Sequence, residues 1–168
     1  IMVDSYVIQD KTDVEALGET CRIDGNLTIV EAGLTALDLP HLTHVGSQLK
    51  IHDNADLSSV SLPVLTQVGK GLLVKGNPQL SMLHLPALAT VGDELKIYYN
   101  AQLQEVSFPE LSMVGNDLDV WNNASLTTLH CPSLSMVNFN LIVQDNPLLG
   151  TPALVLPTLA EVVGNLWL

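Results

Sequence analysis

The chain has 168 residues, enough for one domain with a sizeable core. Its 18 Asp and Glu against 6 Lys and Arg leave a net charge of −12, a field that repels phosphate backbones and anionic lipid, so neither nucleic acid nor a membrane surface is expected as a partner. Hydrophobic residues make up 47% of the chain but aromatics only 4%, and no apolar run approaches the roughly 18 residues of a membrane span, so a branched-aliphatic core and no membrane insertion are expected.

The chain opens at Ile1-Met2-Val3-Asp4 without a basic stretch leading into an apolar one, and no signal peptide is read there. Tyr6-Val7-Ile8 reads as a short strand. Asp13 to Gly18 reads as a brief helix, with acid in its first turn and glycine near its end. Residues 1–22 are therefore expected to cap the open first coil of a repeat structure. Gly25-Asn26-Leu27-Thr28-Ile29 supplies the first strand after the cap.

From there the sequence repeats. Pro40, Pro63, Pro86, Pro109 and Pro132 are each 23 residues apart, as are Asn54, Asn77, Asn100, Asn123 and Asn146. Gly46, Gly69, Gly92 and Gly115 keep the same step, with Asn138 in the fifth place. A sixth unit follows two extra residues near Leu149–Ala153 and brings Pro157 and Gly164. Each unit reads approximately L-x-I-x-x-N-x-x-L-x-x-V-x-L-P-x-L-x-x-V-G. The triplets at Leu49, Leu72, Leu95, Leu118 and Leu141 alternate inward and outward, the pattern of short strands. Val60-Ser61-Leu62 and Val106-Ser107-Phe108 imply a second strand in the return path.

One such unit cannot bury its Leu and Val columns alone. Stacked at about 4.8 Å per coil, the units form parallel sheets around one aliphatic core. The predicted fold is all-β, a parallel β-helix of 23-residue coils over residues 23–168, making a single domain of 1–168. The inward Asn column satisfies backbone groups at the turn and bonds to its copies above and below. Proline suits a corner where an N–H would be wasted, and glycine permits a close return. An ordinary leucine-rich horseshoe is disfavoured, because two residues separate each Asn from the next Leu (Asn54 to Leu57, Asn77 to Leu80). The apolar alternation running to Leu168 suggests a segment excised from a longer chain. Adjacent domains, or a second copy stacked end to end, are expected to cover that edge.

Cys21-x-Ile23-x-Gly25-Asn26-Leu27-Thr28-Ile29, preceded by a short helix and followed by L-x-I-x-x-N coils with L-P-x-L-x-x-V-G corners, resembles the receptor L domain family. This is the leucine-rich, right-handed β-helix of insulin and epidermal growth factor receptor ectodomains, with similar domains in microbial surface proteins. The resemblance covers roughly residues 6–168. It implies a cell-surface or extracellular setting and a ligand-contacting sheet face. It also implies a disulfide from the cysteine ahead of this strand to one near the domain start, but residues 1–20 hold no cysteine.

No catalytic motif stands out, and no cofactor or metal site is expected. His84 and His130 share an outward column two coils apart, too far to share a metal. The remaining histidines, His41, His44 and His52, read as surface residues. Cys131 replaces Leu or Phe in an inward column and reads as a buried hydrophobe, and Cys21 is expected under the cap. Of two sequons, Asn123-Ala124-Ser125 lies in the inward ladder, leaving Asn26-Leu27-Thr28 as the better glycan acceptor.

The informative pattern is the outward face of the first sheet. Its central column runs Thr28, Lys50, Leu73, Lys96, Asp119, Ile142, Trp167. Beside it run His52, Lys75, Tyr98, Trp121 and Gln144, with Tyr99 one position on. Most aromatics of an aromatic-poor chain, and three of its six cations, thus gather on one surface. The binding candidates are Lys50, Leu73, Lys75, Lys96, Tyr98, Tyr99, Trp121, Ile142 and Trp167, on a non-catalytic module whose partner is a protein or a glycan. A rigid spacer is the alternative, in which these rings pack only against one another. A carbohydrate-cleaving β-helix would need acids gathered in a groove, and an ice-binding face an unbroken Thr array. Thr43, Thr66, Ala89, Ser112, Ser135 is broken at its centre.

Overall fold

A computed structural model describes residues 2–150 and 154–168. The chain winds as a β-solenoid of about seven turns, and every strand pairing is parallel. Two eight-stranded sheets run the length of the stack, and a third of six strands joins them after the opening lap. A broad sheet is built from four-residue strands such as Leu49–His52, Leu72–Lys75, Leu95–Tyr98 and Leu118–Trp121. A middle sheet uses three-residue strands such as Ser59–Ser61 and Glu105–Ser107. A narrow sheet, which the repeat pattern did not reveal, uses pairs such as Gln67–Val68 and Thr90–Val91. Two-residue strands are too short to show alternation, so their valines read only as an inward column.

The predicted columns all point inward. Leu57, Leu80, Leu103 and Leu126 are fully buried, as are Leu65, Leu88, Leu111 and Leu134 and the valines from Val45 to Val137. Below them the Asn column forms a continuous amide ladder. Asn54 Nδ2 donates to Asn77 Oδ1 at 2.9 Å, Asn77 to Asn100 at 3.1 Å, and Asn100 to Asn123 and Asn123 to Asn146 at 3.3 Å. Each Nδ2 also reaches a strand carbonyl of the preceding coil, as from Asn100 to Val74 at 3.0 Å. At its upper end the ladder meets the bare amide of Ala32, which donates to Asn54 Oδ1 at 3.1 Å.

The residues read as a cap are themselves a lap of the solenoid. Met2–Val3 pairs with Arg22–Ile23 in the narrow sheet, and Tyr6–Ile8 with Leu27–Val30 in the broad one. In chain order a helix, Lys11–Leu17, takes the place of the middle-sheet strand and buries Leu17. It starts two residues before the predicted Asp13. Asp10 is its N-cap, accepting from the amides of Thr12 (2.7 Å) and Asp13 (3.1 Å), while Asp13 accepts from the Asp10 amide at 3.2 Å. The Thr12 hydroxyl and these amides hold the Asp10 carboxyl below its usual value.

At Gly69 and Gly92 the return column leaves no room for a side chain, because neighbouring coils touch there. A Cβ on Gly69 would overlap the Gly46 carbonyl, and one on Gly92 the Gly69 carbonyl. In the last coil this place belongs to Val163, not Gly164. The Val163 amide donates to Val137 O at 3.1 Å, as Asn138 does to Val114 O at 3.0 Å. The two extra residues shift the register to 25, and Gly164 falls one step beyond. Cys21 is exposed rather than buried under the cap. It lies at the outward corner that Thr43 and Thr66 occupy in later coils, and its carbonyl accepts from Thr43 Oγ1 at 2.7 Å.

Candidate recognition face

Register fixes the surface. Thr28, Lys50, Leu73, Lys96, Asp119, Ile142 and Trp167 are successive Cα partners across the broad sheet. Val30, His52, Lys75, Tyr98, Trp121 and Gln144 form the adjacent column. Both columns lie outward because the intervening residues, Ile51, Val74, Ile97 and Val120, are fully buried.

The aromatic residues meet. Tyr98 and Trp121 stack with centroids 4.5 Å apart and planes 11° from parallel, and Tyr99 packs edge-on against Trp121 at 4.9 Å and Tyr98 at 5.5 Å. Ile142 and Trp167 are neighbours on the same sheet but lie in the other column, one and two strands beyond Trp121. Trp167 is 59% exposed.

Tyr99 occupies a costly backbone position. The residue after each broad strand from Leu27–Val30 to Leu141–Gln144 turns into the left-handed region, at Glu31, Asp53, Gly76, Tyr99, Asn122 and Asp145, with Tyr99 at φ 57°. Gly, Asn and Asp enter that region readily, whereas a bulky side chain does so rarely. The turn repeats in six successive coils, so the fold imposes the strain, and at this coil it carries a tyrosine that is 55% exposed. The φ column, invisible in sequence until the turn is known, is the signal that separates Tyr99 from an ordinary loop tyrosine.

The charges are unevenly paired. Lys96 Nζ lies 2.9 Å from Glu94 and 3.8 Å from Asp119. Burial pulls Lys96 down, but the Glu94 hydrogen bond and the charges of Glu94, Asp119 and Asp117 outweigh it and hold the ammonium above its usual value. Asp119 is less well served. Its Oδ1 is buried without a hydrogen-bond partner among the described residues, and burial raises its carboxyl above the usual range, against the partial compensation of Lys96. Lys50 and Lys75 make no ion pair with the described residues.

A shallow trough of about 290 Å³ crosses this face between the strands at Leu49 and Leu95. Gly71 and Leu73 form its floor, with Lys50 on one wall and Glu94, Lys96 and Tyr98 on the other. A larger hollow of about 640 Å³ lies on the middle sheet around Met82, His84, Glu105 and Ser107, outside the predicted site. No Phe, Tyr or Trp among the described residues lines it. Two of its hydroxyls are committed to the stack, Ser81 Oγ donating to Ser58 O at 3.2 Å and Thr127 Oγ1 to Gln104 O at 3.0 Å. His84 and His130 are separated there by Ser107, as the column implied.

The two sequons part company. Asn123 is fully buried, its Nδ2 donating to Ile97 O and Trp121 O, whereas Asn26 is exposed and, among the described residues, its side chain is engaged only through Oδ1, which accepts from the Gln48 amide at 3.1 Å. Burial pushes the Cys131 thiol up to about 12. Comparison with protein-family models, curated proteins and solved structures finds no match for this chain.

Proposed function

We propose that the chain is a non-catalytic recognition module of a cell-surface or extracellular protein, binding a protein or glycan ligand through the outward face of the broad sheet. The observation that carries this reading is the Tyr98–Tyr99–Trp121 trio. It holds three of the chain's seven aromatic residues together on a rigid surface, one of them at a strained backbone position. The receptor L-like coil pattern supports the same reading, as does the clustering of three cations on an acidic chain.

The test is a screen of immobilised secreted proteins and glycans with the wild type and with Trp121→Ala/Tyr98→Ala. Retained folding with at least tenfold weaker capture of the wild-type hit is expected. Equal capture by both removes the face from the account, and no capture from either set favours the spacer.

A further inference from the structure

Resting on the recognition reading above, we propose that the trough floored by Gly71 and Leu73 takes one carboxylate-bearing saccharide unit, with Tyr98 as its stacking wall. The argument begins with the orientation of the Tyr98 ring. Its neighbours in the column are Lys75 on one side and Trp121 on the other. Trp121 covers one face at 4.5 Å in a nearly parallel stack, so the opposite face looks back across the coil of Leu73 and Lys75, into the trough it lines. No aromatic ring covers that face. A π-face carries negative quadrupolar charge and attracts the C–H bonds of a pyranose lying flat on it.

The trough exists because one coil is low. Gly71 lacks a side chain and Leu73 is short, while the coils on either side carry Gln48 and Lys50, and Glu94 and Lys96. These walls stand two strand spacings apart, about 9–10 Å. The volume lies at the small end of ligand sites, which suits a single ring. The lining decides the chemistry: four long hydrogen-bonding side chains, Gln48, Lys50, Glu94 and Lys96, surround two leucines, Leu72 and Leu73, and one aromatic group. An apolar floor under a hydrogen-bonding rim matches the C–H face and the hydroxyls of a pyranose.

Charge then selects among polyols. Lys96 is already engaged by Glu94, but Lys50, in the wall, and Lys75, beside Tyr98 in register, form no ion pair among the described residues. On a molecule of net charge −12, two ammonium groups without ion pairs, Lys75 one strand and Lys50 two strands from a free aromatic face, are complementary to a carboxylated sugar such as a uronate or a sialate.

The experiment is calorimetric titration of the whole chain with a galacturonate tetramer and with sialyllactose, against the methyl ester of the first and lactose as neutral comparators. Binding of at least one acidic probe is expected, at least tenfold tighter than its neutral comparator and weakened by added salt. Lys50→Ala/Lys75→Ala and Tyr98→Ala should each reduce affinity at least tenfold, and Lys11→Ala, on the helix, should not. Gly71→Leu should block the trough; a Cβ there meets only the Glu94 carbonyl at 3.4 Å, so the fold tolerates it. Acidic probes that fail to bind, while a protein ligand is lost on Trp121→Ala/Tyr98→Ala, overturn this inference and leave the broader reading standing. Saccharide binding that survives both Tyr98→Ala and Gly71→Leu also overturns it. Absence of any ligand of either class removes both.

Discussion

Trp121 lies one strand beyond Tyr98 and faces it ring to ring, 4.5 Å between centroids and 11° from parallel. Such pairs contribute about 0.5–1.5 kcal/mol beyond their buried area. A double-mutant cycle of Tyr98→Ala and Trp121→Ala, read by denaturant unfolding, should give a coupling energy in that range. A coupling near zero would mean that the two rings do not meet in solution.

Asn100 sits in the middle of the ladder. Its Oδ1 accepts from Asn77 Nδ2 at 3.1 Å and the Asn77 amide at 3.2 Å, and its Nδ2 donates to Val74 O and Tyr98 O. Alanine there leaves several buried polar groups without partners, at about 1–3 kcal/mol each. Asn100→Ala should therefore lower stability by about 3 kcal/mol or more, or prevent folding. A loss below about 1 kcal/mol would show that water or a local shift replaces the ladder.

The two cysteines should behave oppositely. Cys21 is exposed, whereas Cys131 is fully buried with its thiol pushed up to about 12, so it holds no thiolate at neutral pH. One thiol per chain should react with a chromogenic disulfide reagent in the native state and two in denaturant. Two fast native thiols would contradict the packing of the Leu62, Leu85, Phe108, Cys131 column.

Asp119 predicts a pH dependence of definite sign. Burial holds its folded-state carboxyl above the unfolded value, so folding favours the protonated form. Its contribution is most favourable below about pH 4 and is lost as pH rises through the window up to the folded value. Asp119→Asn removes the buried charge, and Lys96 keeps Glu94 at 2.9 Å. The variant should be at least as stable as the wild type at pH 7 and lose that advantage near pH 3. Marked destabilisation at pH 7 would mean that the 3.8 Å contact with Lys96 outweighs the burial cost.

Much of this molecule was legible from the 23-residue step alone. A solenoid puts residues of equal phase above one another, so Lys75, Tyr98 and Trp121 could be placed side by side before any coordinate was known. The narrow sheet was not legible, because Thr90–Val91 and its equivalents are too short to alternate. Residues 1–22 read as a cap because their spacing differs, yet the Tyr6–Ile8 strand joins the broad sheet in register with Leu27–Ile29. Cys21 was misplaced because the opening lap lacks the motif that assigns an inward or outward phase. The left-handed turn at Tyr99 could not be seen either, since tyrosine does not advertise it as Gly76 or Asn122 would. The trough depended on a coincidence of two short residues, Gly71 and Leu73, in one coil, which periodicity treats as noise.

Hydroxyl-radical footprinting of the chain with its bound ligand tests the central claim most directly, because both outer faces carry reactive side chains. The recognition account predicts protection of Tyr98, Tyr99 and Trp121, with Met82 on the middle sheet as reactive as in the free chain. Protection of Met82 and His84 with the three rings unchanged would place the ligand in the other hollow and contradict it.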